Sequence, residues 1–350
     1  MKTFCILSAF VLVGTCATPK YTTRIQNLKN SIHLVDSSLV VHYANTITAK
    51  ELKTHLYAFA SKEFEGRGVG EKGGELAAEF LKSYYQNERI ASPFGASNYY
   101  QHIPKSFFSN NIKASQNVIA YIKGSEKPEE IIIISSHYDH LGINAKGQIN
   151  YGADDDGSGT VALMEMAQAF NFAKNEGHEP KRSILFLHLT AEEIGERGSE
   201  FYTLHPVFPL KNTLTDLNID MIGRVDEIHK NNKNYLYLIG ANRISKELHF
   251  LSEKVNNAYF NLDLDYRYNA EDDKNDFYSR SDHYNFALKN IPVIFYFNGE
   301  HADYHKPTDT PDKIDYQLLE KRTKLIFATA WQIANQKHKL ALDTENAFLK

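Results

Sequence analysis

The stretch EIIIISSHYDHLG occupies Glu130–Gly142. Four consecutive isoleucines cannot alternate between core and solvent, so the run predicts a strand covered on both faces, as in a parallel sheet flanked by helices. The apolar run ends in two serines and then His137-Tyr138-Asp139, so titratable side chains stand where the strand runs out.

Working outward, SILFLHLT (Ser183–Thr190) is a second buried strand, and NVIAYI (Asn117–Ile122), TDLNIDMIG (Thr215–Gly223) and IPVIFYF (Ile291–Phe297) are three more. Helical spacing recurs between them, in Ala49–Phe59, Glu75–Gln86, Thr160–Phe170, Ile244–Phe260 and Asp315–Gln336. Strands alternating with helices predict an α/β fold: a three-layer α/β/α sandwich around a central mixed, mostly parallel β-sheet. Residues 49–345 read as one catalytic domain, and 18–48 as a polar N-terminal segment with a first helix on the surface.

The chain has 350 residues, 42% hydrophobic and 12% aromatic, which is ample for one large core. A net charge of -4 argues against a nucleic-acid partner. MKTFCILSAFVLVGTCATPK (Met1–Lys20) has one early lysine and an apolar centre too short for the ~20 residues of a spanning helix. Residues 1–17 therefore read as a secretory signal peptide cleaved after Ala17. The alternative is a bacterial lipoprotein signal with a lipid anchor at Cys16. The expected location is outside the cytoplasm: periplasmic, extracellular or lipid-anchored to the envelope. Both cysteines, Cys5 and Cys16, lie in this segment, so no internal disulfide is expected. No other segment is apolar enough to span a membrane, and nothing in the sequence specifies an oligomeric state.

The acids and histidines of interest fall at strand ends, where ligands bind in such sheets. Glu192-Glu193 follow the second buried strand, Asp220 lies late in TDLNIDMIG, and HADYHKPTDT beyond IPVIFYF carries His301, Asp303, His305 and Asp309. GADDDGSG (Gly152–Gly159) joins the isoleucine strand to a helix. Its acid spacing nearly fits a calcium-binding EF-hand, but the preceding glycine-rich stretch offers no entering helix. Three carboxylates (Asp155, Glu193, Asp220) and two histidines (His137, His305) make a mixed nitrogen and oxygen donor set suited to zinc, with cobalt or manganese as alternatives. Without cations such a rim holds uncompensated acids, a costly arrangement unless they protonate. No Gly-x-Ser-x-Gly or His-Glu-x-x-His motif is present.

In this order the motifs EGRGVGEKGGELAAEFL, SSHYDHLG, GADDDGSG, TAEEIGERGS, NIDMIGR, SRSDHYNF and YHKPTDT resemble the two-zinc aminopeptidases of the bacterial leucyl aminopeptidase type, from about Leu52 to Ile333. The resemblance implies a zinc exopeptidase fold, a peptide substrate and two Zn2+ per chain. It makes Asp155 the ligand shared by both ions, with a cis peptide to Asp156. His137 and Asp220 would complete one site, Glu193 and His305 the other, with His301 the rival to His305. Glu192 would be general base and then general acid, and Asp139 would orient His137. His283, in SRSDH, would be structural. The stretch YRYNAEDDKND (Tyr266–Asp276) has no implied role and reads as a pocket wall or a solvated loop. A one-zinc glutaminyl cyclase and a non-catalytic binding domain are the alternatives on the same fold.

Overall fold

The isoleucine run forms the middle of an eight-stranded sheet in the computed structural model, which describes residues 20–95, 97–109 and 112–349. The signal-peptide and Cys16 readings lie outside the described residues. The strands are β1 (Tyr100–Ile103), β2 (Ser115–Ile122), β3 (Lys127–His137), β4 (Arg182–Leu189), β5 (Thr213–Ile219), β6 (Tyr235–Ile239), β7 (Asp263–Asp265) and β8 (Val293–Phe297). Their order across the sheet is β1-β2-β4-β3-β5-β8-β6-β7. The central four, β4-β3-β5-β8, run parallel, while β2 and β6 pair antiparallel to β4 and β8 on either side. This is the mixed, mostly parallel sheet expected.

Both faces are covered, which is why the β3 run is apolar throughout. Ile132 and Ile134 share one core with Phe186, Leu217 and Tyr296, under α2 (Ser37–Ala44), α3 (Ala49–Phe59), α4 (Lys72–Asn87), α5 (Gly159–Asn175), α7 (Lys246–Tyr259) and α9 (Tyr316–Asn335). Ile131 and Ile133 face the other way, against Leu185, Leu187, Tyr202 of α6 (Arg197–Leu204) and Phe286 of α8 (His283–Ala287). Burying each such side chain stabilises by roughly 1.5–3 kcal/mol.

The N-terminal segment departs from the expected surface tail. It forms two helices, α1 (Tyr21–Ser31) and α2, and α2 buries Val40, Tyr43 and Ala44 in the main core. Tyr43 stacks on Trp331 of α9, with ring centroids 5.5 Å apart, and its hydroxyl donates to Glu176. Few apolar residues sufficed because α2 packs on both α9 and α5. Among the described residues no helix is long and apolar enough to cross a membrane.

The parallel strands end together. His137 is the last residue of β3, Asp220 is the first after β5, and Glu192 and Glu193 lie just past β4.

Candidate metal centre

Asp155 stands at the meeting point of the strand ends. Its Oδ1 lies 3.2 Å from His137 Nε2, which is also 3.5 Å from Asp220 Oδ1. Its Oδ2 lies 3.1 Å from His305 Nε2, which is also 3.1 Å from Glu193 Oε2. One carboxylate thus faces two separate donor groups. His137, Asp155 and Asp220 are buried, while the His305 side chain is 38% exposed and marks the mouth. His301 turns away from this point, with Nε2 3.2 Å from Asp154 Oδ2.

The other two aspartates of the loop bind backbone instead. Asp154 Oδ1 accepts from the Gly223 N–H at 2.7 Å, and Asp156 Oδ1 accepts from Gly159 and Met221 at 2.9 and 3.1 Å. They tie the loop to the start of α5 and to the chain after β5, which leaves the middle aspartate free to face the centre. The Asp155–Asp156 peptide is cis. A Cβ on Gly159 would come within 2.5 Å of the Asp156 carboxylate, so only glycine fits there.

Asp139 holds a different place from the one expected. The atom facing His137 Nδ1 is its backbone carbonyl, at 3.1 Å, with the carboxylate farther away at 3.8 Å. That carboxylate accepts the backbone N–H groups of Glu192 and Glu193, at 3.2 and 3.4 Å. The chain turns as soon as β3 ends, so the carbonyl lies beneath the imidazole and the side chain reaches the neighbouring turn. Glu192 lines a cleft with Asp155 and Asp220, beside Met221, Phe295 and Phe297. The Tyr266–Asp276 stretch supports that wall, since Tyr268 packs on Phe277 with centroids 4.7 Å apart.

Two residues were not singled out by the sequence. Arg67, in EGRG, is wholly buried and donates to the carbonyls of Tyr138, Tyr151 and Gly152 at 2.7, 2.8 and 2.7 Å. Burial lowers its pKa to about 10, opposed by Asp155, Asp309, Asp139 and Asp156. It is the fixed cation that joins the β3 end to the aspartate loop. His140 is the other, with Nδ1 2.6 Å from Glu193 Oε1. A glycine-flanked arginine and a histidine three residues past His137 were the available signals.

The electrostatics follow from crowding in a dry site. Burial alone would lower His137, but Asp220, Glu192 and Asp155 hold it well above the usual histidine range. Burial would raise Asp155, but His137, His140 and His305 hold it well below the carboxylate range. Burial drives Glu192 well up, opposed by His137 and reinforced by Asp220 and Glu193. His305 rises to about 10 because Asp155 and Glu193 outweigh its burial.

Behind Asp220 runs a hydrogen-bonded chain. Ser281 Oγ donates to Asp220 Oδ2 at 2.8 Å, and Asn218 Nδ2 donates to Ser281 at 2.9 Å. Ser135 Oγ lies 2.9 Å from Asn218 Oδ1 and 2.7 Å from Asp216 Oδ1. One hydroxyl proton cannot serve both oxygens, so a protonated Asp216 completes the chain. Burial raises Asp216 to about 8, with Ser135 opposing, which agrees.

Buried polar atoms are normally partnered, yet His137 Nε2, Asp155 Oδ2 and Glu193 Oε1 have no hydrogen-bond partner. Imidazole nitrogens and carboxylate oxygens held face to face in this way suit divalent cations of the zinc type. The fold and this rim therefore define an α/β protein with side chains that could hold a cation at the carboxyl ends of its parallel strands. Residues 117–330 match the description of peptidase family M28, and the chain belongs to that family.

A probable aminopeptidase of Saccharomyces cerevisiae, YDR415C, is 28% identical over 227 residues, covering 63% of this chain and 57% of the relative. The chain spans about half the length of the curated relatives it matches. The LapA aminopeptidase of Legionella pneumophila has a similar structure, with a TM-score of 0.67 at 20% identity, covering 88% of this chain and 77% of LapA. The glutaminyl cyclase of Bacteroides thetaiotaomicron also shares the fold, with a TM-score of 0.65 at 18% identity, covering 83% of this chain and 99% of the cyclase.

Proposed function

We propose that this chain is a metallo-exopeptidase that removes N-terminal residues from peptides with two zinc ions and a glutamate general base. The observation that carries this reading is the Asp155 carboxylate set between His137–Asp220 and Glu193–His305. His137 and Asp220 would hold one ion, Glu193 and His305 the other, and Asp155 both. When bound, such a pair polarises a peptide carbonyl and makes a shared water more acidic.

The remaining steps fall to the chain's own side chains. Glu192, in the cleft beside Asp155 and Asp220, accepts the proton of the attacking water and returns it to the departing amine. Asp139 fixes the Glu192–Glu193 turn through its two backbone contacts. Met221, Phe277, Phe295 and Phe297 offer an apolar wall for a substrate side chain, and Arg280, 3.0 Å from Glu300, stands at the same cleft.

The test is Glu192→Ala, assayed on free and N-blocked peptides with metal analysis of the same sample. Turnover is expected to fall about 10²–10⁴-fold with zinc content unchanged. Unchanged turnover refutes the role of Glu192, and equal cleavage of blocked peptides refutes exopeptidase action. The cyclase shares the fold, so N-terminal glutamine peptides belong in the panel; cyclisation without cleavage would favour that reading. We also infer export directed by residues 1–17; the intact mass of the exported protein reads the cleavage site and any diacylglycerol on Cys16.

A further inference from the structure

We propose that His140 is a further metal-binding side chain of this centre, sharing with His305 the cation held by Asp155 and Glu193. The inference rests on the two-cation reading above and gives one half of the centre two imidazoles.

His140 is buried to 1%, and its Nδ1 lies 2.6 Å from Glu193 Oε1 and 3.7 Å from Asp155 Oδ2. His305 Nε2 is 3.1 Å from the other Glu193 oxygen and 3.1 Å from the same Asp155 oxygen. Zinc bonds of about 2.0–2.2 Å in a tetrahedron put neighbouring ligand atoms roughly 3.3–3.6 Å apart. The two His305 spacings of 3.1 Å come close to that value, while the His140 spacings lie on either side of it at 2.6 and 3.7 Å. His140, Asp155 and Glu193 form one close donor cluster, as His137, Asp155 and Asp220 form the other.

Apart from the close approach to Glu193, the surroundings hold this imidazole in place without completing a hydrogen bond to it. Neither ring nitrogen of His140 has a hydrogen-bond partner, and neither does Glu193 Oε1. The ring occupies the space that a side chain at Gly152 would need. A Cβ there would lie 2.5 Å from the ring, and Gly152 has φ +55°, a conformation that suits glycine. The His140 N–H donates to the Arg67 carbonyl at 3.2 Å, while the Arg67 guanidinium binds the carbonyls of Tyr138 and Gly152 on either side. The rotamer is thus set by packed backbone and a buried cation.

The experiment compares the whole chain with His140→Ala and His140→Asn, each first checked for an unchanged metal-free melting profile. Zinc affinities are read by competition titration, and imidazoles per zinc by X-ray absorption at the zinc edge. The expected wild type holds two zinc ions sharing three imidazoles. His140→Ala keeps the tighter ion, loses one imidazole and binds the other ion at least about tenfold more weakly, since even outer partners of ligands cost that much. His140→Asn, which can still donate a hydrogen bond to Glu193, does not restore affinity. Two ions with unchanged affinities and imidazole count in His140→Ala would overturn the assignment, as would full rescue by asparagine, and both leave the two-cation reading standing. A wild type that binds fewer than two ions overturns both.

Discussion

Two clusters of histidine and aspartate lie at the same end of this sheet, and they behave in opposite ways. In one, His229 contacts Asp226 Oδ1 at 3.0 Å through Nδ1 and Asp265 Oδ2 at 3.2 Å through Nε2. Asp226 also accepts from the Tyr237 hydroxyl at 2.6 Å, and the His229 ring stacks on Tyr235 at 3.5 Å. Both His229 nitrogens and the Tyr237 hydroxyl face carboxylates of the same cluster. In the other, His137, Asp155 and Glu193 aim polar atoms at one another without completing hydrogen bonds. The first cluster stabilises the fold as it stands, because a satisfied buried network costs nothing further. The second leaves imidazole nitrogens and carboxylate oxygens that a divalent cation could join. The two clusters share their composition and differ in how far their polar atoms are paired.

The most disruptive test of that contrast is Asp155→Asn. It is expected to release both ions and to lower turnover by more than about 10³-fold, ~4 kcal/mol of barrier, as read by metal analysis and steady-state kinetics. Next comes Arg67→Met, which strips a buried cation from the carbonyls around the centre. It should destabilise by about 3–5 kcal/mol in urea unfolding and weaken zinc binding together. His229→Ala should cost about 1–3 kcal/mol of stability with zinc content and turnover unchanged; loss of zinc there would break the comparison.

A further test is one of pH. Asp216 sits near pKa 8 through burial, far above its range in an unfolded chain. A carboxyl raised by folding contributes stability that is full at acid pH and is lost as pH climbs toward 8. Asp216→Asn supplies a neutral donor to Ser135 at every pH. The melting temperature of the wild type should therefore fall further between pH 5 and pH 8.5 than that of the variant.

The isoleucine run and the SILFLHLT strand were legible because burial on both faces forces continuous apolarity. The Tyr-Leu-Tyr-Leu-Ile strand β6 was not. Its Tyr235 and Tyr237 pack in a small aromatic cluster while Leu236 and Leu238 join the main core, so neither alternation nor uniformity announces it. The short strands β1 and β7 lie at the sheet edges, where few residues are needed. At the rim, the four side chains that the structure gathers around Asp155 were readable from strand-end position and from resemblance. The place of Asp139 was not, because carbonyl and carboxylate of one residue swap jobs when the chain turns. His140 was hidden for a related reason. Its surroundings depend on the space left at Gly152 and on Arg67, two positions far from it in sequence.

The most direct test is a crystal structure of the zinc-loaded protein with anomalous data at the zinc edge. Two peaks about 3.5–4 Å apart are expected, one on each oxygen of Asp155. A single peak, or two peaks that Asp155 does not join, would contradict the account.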